Sequence, residues 1–248
     1  MHGQVLKCMK CASPLNLDDP NPELYDDSIF CSFKCAQSDW RDMSGIPNEF
    51  WNTDLDRLTC ETQIEAVDKW LQDRRYHEGR HGLLLHGKPS GSGKTRLGTY
   101  AFNKRVITNW QGRITHERDF RNGDCNHAGR WFSVNQFREH YRRIIKDEEK
   151  KAEWQSELSN ADRLFLDDVD KLKPAEGLLE LLFGILDDRL SYGRETILTT
   201  NFCGTELEEK WGEEYGPYLV RRLREFCLCI HFDKPNAQSN IIPIQQSA

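Results

Sequence analysis

Residues 83–95 of the chain have the sequence Leu-Leu-Leu-His-Gly-Lys-Pro-Ser-Gly-Ser-Gly-Lys-Thr. The three leucines predict a short buried strand, and the residues rich in glycine, serine and proline after them predict a loop. Lys94 and Thr95 then begin a segment whose apolar residues recur at helical spacing. A strand, a glycine-rich loop and a helix that begins with Lys-Thr are together typical of a phosphate-binding loop.

The parts of this loop suit the chemistry of phosphate binding. Small residues let backbone N–H groups converge on phosphate oxygens, and the helix N-terminus adds a favourable dipole. Lys94 is predicted to bridge the terminal phosphates of a nucleotide, and Thr95 to ligate Mg²⁺ through its hydroxyl. The predicted nucleotide-binding residues are Gly87, Pro89, Ser90, Gly91, Ser92, Gly93, Lys94 and Thr95.

The spacing of the loop departs from the usual motif. That motif has four residues between its first glycine and the glycine of Gly-Lys-Thr, whereas residues 88–92 separate Gly87 from Gly93. Either the loop has one additional residue, or Lys88 occupies the position of the first glycine.

A second motif lies at residues 163–168, where a short apolar run ends in Asp167 and Asp168. This pattern predicts a buried strand that delivers carboxylates at the carboxyl edge of a sheet. Beside a phosphate-binding loop, Asp167 is predicted to hold Mg²⁺, directly or through water. Asp168 is predicted to orient or activate the attacking water.

Two further segments complete the candidate site. The β-branched run at residues 195–201 predicts a strand, and if it lies beside the Asp167 strand, Asn201 reaches the water near the γ-phosphate. Residues 217–227 predict a short helix that carries Arg221 and Arg222. Such arginines often contact the γ-phosphate of a neighbouring subunit, and the competing interpretation is a solvated basic face.

The remaining pattern predicts the framework around these motifs. Helices are expected at residues 62–75, at 135–145 with Asn135 as the N-cap, and at 176–190, the last facing the core with no other role. Strands are expected at residues 131–134 and 228–232.

Cysteine spacing predicts a metal-binding unit at the N-terminus. Cys8 and Cys11 form a C-x2-C pair, and Cys31 and Cys35 form a C-x3-C pair. Two such pairs can supply four thiolates to one tetrahedral Zn²⁺, and four cysteine ligands leave no open position for catalysis. We therefore expect a structural zinc module, against the alternative of four incidental cysteines in a tail.

The composition limits the classes of function. A net charge of −6 argues against a chain that binds nucleic acid over its whole surface, so DNA contact would need a local basic patch. The arginine-bearing segment at residues 109–130, predicted to be a solvated insertion, is the best candidate for such a patch. No apolar run resembles a signal peptide or a membrane span, so we expect a cytoplasmic protein that has no membrane partner.

The four motifs, Gly-Lys-Thr, Leu-Phe-Leu-Asp-Asp, Leu-Thr-Thr-Asn and Arg-Arg-Leu, together resemble those of AAA+ ATPases of the replicative-helicase-loader branch. This branch is DnaC-like, and the transposition-helper (IstB-like) ATPases are its close relatives. The resemblance covers about residues 45–233 and is strongest at 162–201, where Leu186-Asp187-Asp188-Arg189 is also similar to that branch.

The resemblance implies a five-stranded parallel sheet with helices on both faces, and ATP bound at the carboxyl ends of the strands. In the terms of this family, the assigned residues are Lys94 and Thr95 (Walker A), Asp167 and Asp168 (Walker B), Asn201 (sensor 1) and Arg222 (arginine finger), with Arg221 as the alternate finger. With the cysteine pairs and the composition of the ends, the expected domains are a zinc module at residues 1–44, the ATPase domain at 45–233 and a tail at 234–248.

A loader would bind the hexameric replicative helicase, use ATP to stabilise an open complex, release the helicase on single-stranded DNA, and assemble with its own copies through the trans-acting arginine. The zinc module would bind the helicase or contact DNA. The main alternative is a transposition-helper or initiator ATPase that coats DNA and targets a recombinase. A small-molecule kinase would not explain the Leu-Thr-Thr-Asn strand, and in a fourth hypothesis the zinc module acts on a passive ATPase scaffold.

Overall fold

A computed structural model describes part of the chain. Its described residues are 23–25, 28–30, 44–50, 58, 60–72, 80–103, 129–172 and 177–234. The four predicted zinc ligands, most of the 109–130 insertion and residues 235–248 lie outside the described residues. The predictions made for them therefore stay predictions.

From residue 61 onward helices and strands alternate, except that two successive helices lie between the strands Arg130–Ser133 and Arg163–Asp167. Before them, β1 (Glu23–Tyr25) and β2 (Ser28–Phe30) pair antiparallel, and Asn48–Phe50 form a 3-10 turn. The later elements are α1 (Glu61–Gln72), β3 (Gly82–His86), α2 (described over residues 94–103), β4 (Arg130–Ser133), α3 (Val134–Ile144), α4 (Glu148–Asn160), β5 (Arg163–Asp167), a 3-10 turn (Val169–Lys171), α5 (Leu178–Ser191), β6 (Glu195–Thr200), α6 (Gly204–Phe226) and β7 (Cys227–His231).

Strands β3 to β7 form one sheet in the order β4-β5-β6-β3-β7, and all four neighbouring pairs are parallel. The strand that precedes the glycine-rich loop, β3, therefore lies between β6 and β7. Because parallel strands point the same way, the loop after β3 and the polar residues after β5 and β6 meet at one edge of the sheet. The predicted fold class, a P-loop α/β sheet with helices on both faces, is confirmed.

The sheet has a buried core on each face, as parallel sheets do. Leu83 and Leu85 pack with Val67 of α1 and Leu97 of α2 on one face. Leu84 points to the other face, where it joins the apolar side chains of α3, α4, α5 and α6. This alternation along β3 explains why its sequence is an unbroken apolar run.

Two of the predicted helix boundaries are wrong. Helix α3 begins at Val134, and its N-cap is Ser133 instead of Asn135. The Ser133 hydroxyl accepts the backbone N–H of Gln136, and the Gln136 side chain accepts the backbone N–H of Ser133. This reciprocal pair is a capping box, which the Ser-x-x-Gln spacing could have indicated.

The short helix predicted at residues 217–227 is the second half of a longer one. Helix α6 runs over 23 residues and is interrupted at Gly212, whose φ of 81° and ψ of 169° are not helical. Its glycines and Pro217 weaken the helical signal of the sequence, since glycine and proline are the poorest helix formers. Strand β7 accordingly begins at Cys227, one residue earlier than predicted.

Helix α5 does more than cover the core. Its Arg189 is fully buried and donates hydrogen bonds to the carbonyl oxygens of Leu158, Ala161 and Glu195 and to the Thr196 hydroxyl. Burial lowers the pKa of Arg189 to about 9, so the guanidinium stays charged at neutral pH. One side chain thus satisfies carbonyls at the end of α4 and at the start of β6.

Replacing Arg189 with methionine should lower the free energy of unfolding by about 3 kcal/mol or more. Each buried carbonyl left without a donor costs roughly 1–3 kcal/mol. Urea denaturation followed by circular dichroism measures the loss. The control is Arg142→Met, because Arg142 forms an exposed i,i+3 pair with Glu139 and such pairs contribute about 0–1 kcal/mol. Equal losses in the two variants would contradict this account of Arg189.

Candidate nucleotide-binding site

The glycine-rich loop begins where two neighbouring strands leave no room for a side chain. Gly87 has a φ of 146°, and a Cβ built there would lie 2.0 Å from the carbonyl oxygen of Phe232. Its N–H donates to the Thr200 carbonyl at 3.2 Å, and the Phe232 N–H donates to the His86 carbonyl at 2.8 Å. The chain therefore needs glycine at position 87.

Lys88, the other candidate for the first-glycine position, has an exposed side chain that pairs with Glu206 at 2.8 Å. Of the two alternatives for the spacing, the geometry favours Gly87 as the first glycine and a loop with one additional residue. Helix α2 then begins at Lys94.

The Lys94 side chain lies inside the curve of the loop and is 6% exposed. Its Nζ donates to the carbonyl oxygens of Gly87 at 2.8 Å and Pro89 at 3.1 Å, and to the Ser92 hydroxyl at 3.1 Å. Burial lowers the pKa of Lys94, and the charges of the acidic residues after β5 oppose that effect. The ammonium group is therefore held where the backbone of the loop converges.

Asp167, at the end of β5, joins three elements. Its Oδ1 accepts hydrogen bonds from the hydroxyl of Thr95 on α2, at 2.8 Å, and from the hydroxyl of Thr199 on β6, at 2.6 Å. The side chain is buried, and desolvation is the main cause that raises its pKa, opposed by the two hydroxyl donors. The two residues predicted to ligate Mg²⁺, Thr95 and Asp167, are thus in direct contact.

The donor set at this contact fits the predicted metal. Mg²⁺ binds oxygen ligands and keeps several waters, so one hydroxyl, one carboxylate and phosphate oxygens are a sufficient set. A bound cation would also favour the charged form of Asp167, whose pKa burial raises. The residues present therefore suit Mg²⁺ beside a nucleotide.

Asp168 differs from Asp167 in both backbone and surroundings. Its φ of 61° and ψ of 47° are left-handed, a conformation that aspartate tolerates better than most residues. Its N–H donates to the Thr199 hydroxyl at 2.8 Å, and its carboxylate pairs with Lys171 in the following 3-10 turn. The carboxylate is partly exposed and is held by a surface lysine.

Asn201, directly after β6, is fixed by a residue that sequence reasoning missed. Its backbone N–H donates to Oδ1 of Asp170 at 2.9 Å, and its side-chain Nδ2 lies 3.2 Å from Oδ2 of the same carboxylate. A carboxylate only accepts hydrogen bonds, so the amide nitrogen faces Asp170 and the amide oxygen faces the other way.

Thr199 is the second site residue that the sequence analysis did not find. It lies two positions before Asn201 in β6, and its hydroxyl contacts both residues of the Asp167-Asp168 pair. A polar residue near the end of a buried apolar strand is a weak signal of such a role.

The two candidate arginines lie on α6 and do not join this cluster. Arg222 pairs with Asp187 of α5, and the exposed Arg221 lies over the ring of Tyr218. Within the described part of the chain, no hydrogen bond or ion pair links either arginine to the loop or to Asp167. The structure thus brings together Lys94, Thr95, Asp167, Asp168 and Asn201, and leaves Arg221 and Arg222 outside the group.

No protein-family model matches the sequence, and no curated protein matches it. Solved structures similar to it include the DnaC helicase loader, at 18% identity and a TM-score of 0.56, covering 75% of this chain and 100% of that one. DnaI is similar at 18% identity and a TM-score of 0.55, covering 75% of this chain and 94% of that one. Domain III of the replication initiation protein DnaA from Thermotoga maritima is similar at 20% identity and a TM-score of 0.50, covering 74% of this chain and 68% of that one.

At these identities the likeness shows the fold alone: the chain has the P-loop α/β fold of these structures. None of the described helices is long and apolar enough to cross a membrane. Among the described residues, no three or more His, Cys, Asp and Glu side chains form a metal-binding group. The zinc prediction concerns cysteines outside that part of the chain.

Replacing Thr199 with valine should raise the Mg²⁺ concentration that nucleotide binding requires. Valine has nearly the same shape as threonine but lacks the hydroxyl that orients Asp167. Loss of such a partner of a metal ligand typically lowers metal affinity by about 10-fold or more. Titration of Mg²⁺ against a fluorescent ATP analogue measures the change. Thr62→Val on the exposed face of α1 is the control, and an unchanged Mg²⁺ midpoint in Thr199→Val would contradict the role given to Thr199.

Proposed function

We propose that this chain is an ATP-binding and ATP-hydrolysing AAA+ protein that loads a replicative helicase onto single-stranded DNA. The observation that carries the proposal is the site itself, a buried loop lysine beside a hydroxyl–carboxylate pair, in a fold that matches the whole DnaC loader chain. ATP is the expected nucleotide, and a cytoplasmic location is expected with it.

Lys94 would bind the phosphates by exchanging partners. Its Nζ donates to two carbonyls and one hydroxyl of the loop, and an ammonium has three protons to donate. Anionic phosphate oxygens are stronger acceptors than neutral carbonyls, so they would replace these partners. The convergent N–H groups of the loop would hold the β- and γ-phosphates.

Thr95 and Asp167 would hold Mg²⁺, which when bound neutralises charge on the phosphate oxygens. Asp168 would orient or activate the attacking water after its carboxylate leaves Lys171. Asn201 would accept a hydrogen bond from that water through its amide oxygen, which faces away from Asp170. Each role uses an oxygen or nitrogen at the same edge of the sheet.

Arg222, or Arg221 as its alternate, would act on the nucleotide of a second copy of the chain. Both lie outside the cluster of their own chain, as a trans-acting arginine must. Hydrolysis would then depend on assembly, so the protein would serve as an ATP-dependent switch.

The domain boundaries remain part of the proposal. Residues 45–233 would form the ATPase domain, residues 1–44 a zinc module that binds the helicase or DNA, and residues 234–248 a tail. The module would take its folding free energy from the metal, since so short a segment cannot build a sufficient core.

Purified replicative helicase should capture the full-length protein in an ATP-dependent manner. Lys94→Ala should lose the ATP dependence, because the variant lacks the phosphate-binding ammonium. Pull-down with and without ATP measures the capture. Lys88→Ala is the matched control in the same loop, since Lys88 is exposed.

Failure of the wild type to bind the helicase in any nucleotide state would contradict the loader proposal. If the same protein then bound double-stranded DNA with ATP, the DNA-coating transposition-helper or initiator function would replace it.

The full-length protein should contain one Zn²⁺ per chain, and the Cys31→Ser/Cys35→Ser variant should contain none. Plasma mass spectrometry of protein freed of loosely bound metal measures the content. Cys229→Ser, a change at an exposed cysteine of β7, is the control and should retain the metal. A wild-type protein that contains no zinc would contradict the prediction of a zinc module.

A further inference from the structure

Helices α5 and α6 are joined by a small polar network around Arg222. The Tyr218 hydroxyl donates to Oδ1 of Asp187 at 2.9 Å, and Nε of Arg222 donates to the Tyr218 oxygen at 3.0 Å. The same Nε lies 3.0 Å from Oδ1 of Asp187. One nitrogen of the guanidinium is therefore held by a carboxylate and a phenol of its own chain.

The network holds Arg222 by one edge only. Among the described residues, no hydrogen bond or ion pair involves its two terminal nitrogens, and the side chain is 23% exposed. The guanidinium carbon also lies 5.3 Å from the ring centroid of Tyr218 and 5.4 Å from that of Phe226. These contacts restrict rotation of the planar guanidinium. Its two terminal NH₂ groups can then bind a phosphate in a bidentate manner.

Arg221 is held much less firmly. It is exposed, its guanidinium carbon lies 5.1 Å from the centroid of the Tyr218 ring, and among the described residues it forms no hydrogen bond or ion pair. Of the two candidate arginines, Arg222 is thus the one whose orientation is fixed before any partner binds. Fixing a side chain in advance lowers the entropy lost when it later binds.

We propose that Asp187 and Tyr218 are positioning residues that orient Arg222 for a phosphate of the nucleotide bound by a second copy of this chain. The inference rests on the proposed function and assigns a role to residues that the site does not otherwise use. Asp187 binds the Nε edge and keeps the guanidinium in place, while the NH₂ edge meets the neighbouring nucleotide.

A subunit-mixing experiment separates this role from a merely structural one. Lys94→Ala lacks the phosphate-binding lysine but can donate Arg222, and Arg222→Ala lacks the arginine but can accept one. Each variant alone should have little ATPase activity, and the mixture should regain it at the nucleotide sites of the Arg222→Ala subunits.

Asp187→Asn is then added to one side of the mixture at a time. In the donor, Lys94→Ala/Asp187→Asn, the regained ATPase activity should fall about 10-fold, since a misplaced catalytic group can cost up to about 100-fold. In the acceptor, Arg222→Ala/Asp187→Asn, activity should change less than about twofold, because the acceptor supplies no arginine. Tyr218→Phe in the donor, which keeps the packing of the ring, should give a smaller fall in the same direction.

Glu208→Gln in the donor is the matched control, because Glu208 pairs with Arg224 on the same helix at 3.7 Å. This change should leave the regained activity unaltered. Equal losses from Asp187→Asn on the two sides, or no loss on either, would overturn the positioning role and leave the proposed function standing. A mixture of Lys94→Ala and Arg222→Ala that regains no activity would overturn the positioning role together with the trans role of Arg222, whereas the helicase pull-down decides the loader proposal separately.

Discussion

The hydrogen bonds to the Asp167 carboxylate hold the candidate site together. A buried carboxylate is costly unless it is hydrogen-bonded, and here the hydroxyls of Thr95 and Thr199 supply the donors. Thr95 lies on the helix after the glycine-rich loop, and Thr199 lies on the strand between β5 and β3. The same contacts therefore fix the loop helix against two strands of the sheet and place a carboxylate oxygen beside the loop.

Polar residues of α5 fix this helix against its neighbours. Successive residues of a helix point about 100° apart, so Asp187, Asp188 and Arg189 each face a different neighbour. Asp187 contacts α6, Asp188 accepts from Ser159 on α4, and Arg189 binds carbonyls of α4 and β6. Hydrophobic periodicity predicts that this helix covers the core, but it carries no information about these three polar contacts.

The sequence predicts much of the fold, because apolar runs and glycine-rich loops are local signals. The order of motifs also places Lys94, Asp167 and Asn201 at one edge of a parallel sheet, since strand direction alone decides that. Thr199 and Asp170 could not be assigned in the same way, because their partners depend on the register between strands and on the turn after β5. The trans role of Arg222 remains a prediction.

The site combines fixed and exchangeable contacts. Asp167 and Asn201 are held by buried hydroxyl, backbone and carboxylate groups, whose loss would leave polar atoms unsatisfied. Asp168 is held by the exposed Lys171, and exposed ion pairs contribute only about 0–1 kcal/mol. Under the proposed function, nucleotide and water would replace the present partners of Lys94 and Asp168 and leave those of Asp167 and Asn201 in place. Such a protein can bind and release nucleotide while the main hydrogen bonds of its site stay in place, which is what an ATP-dependent switch requires.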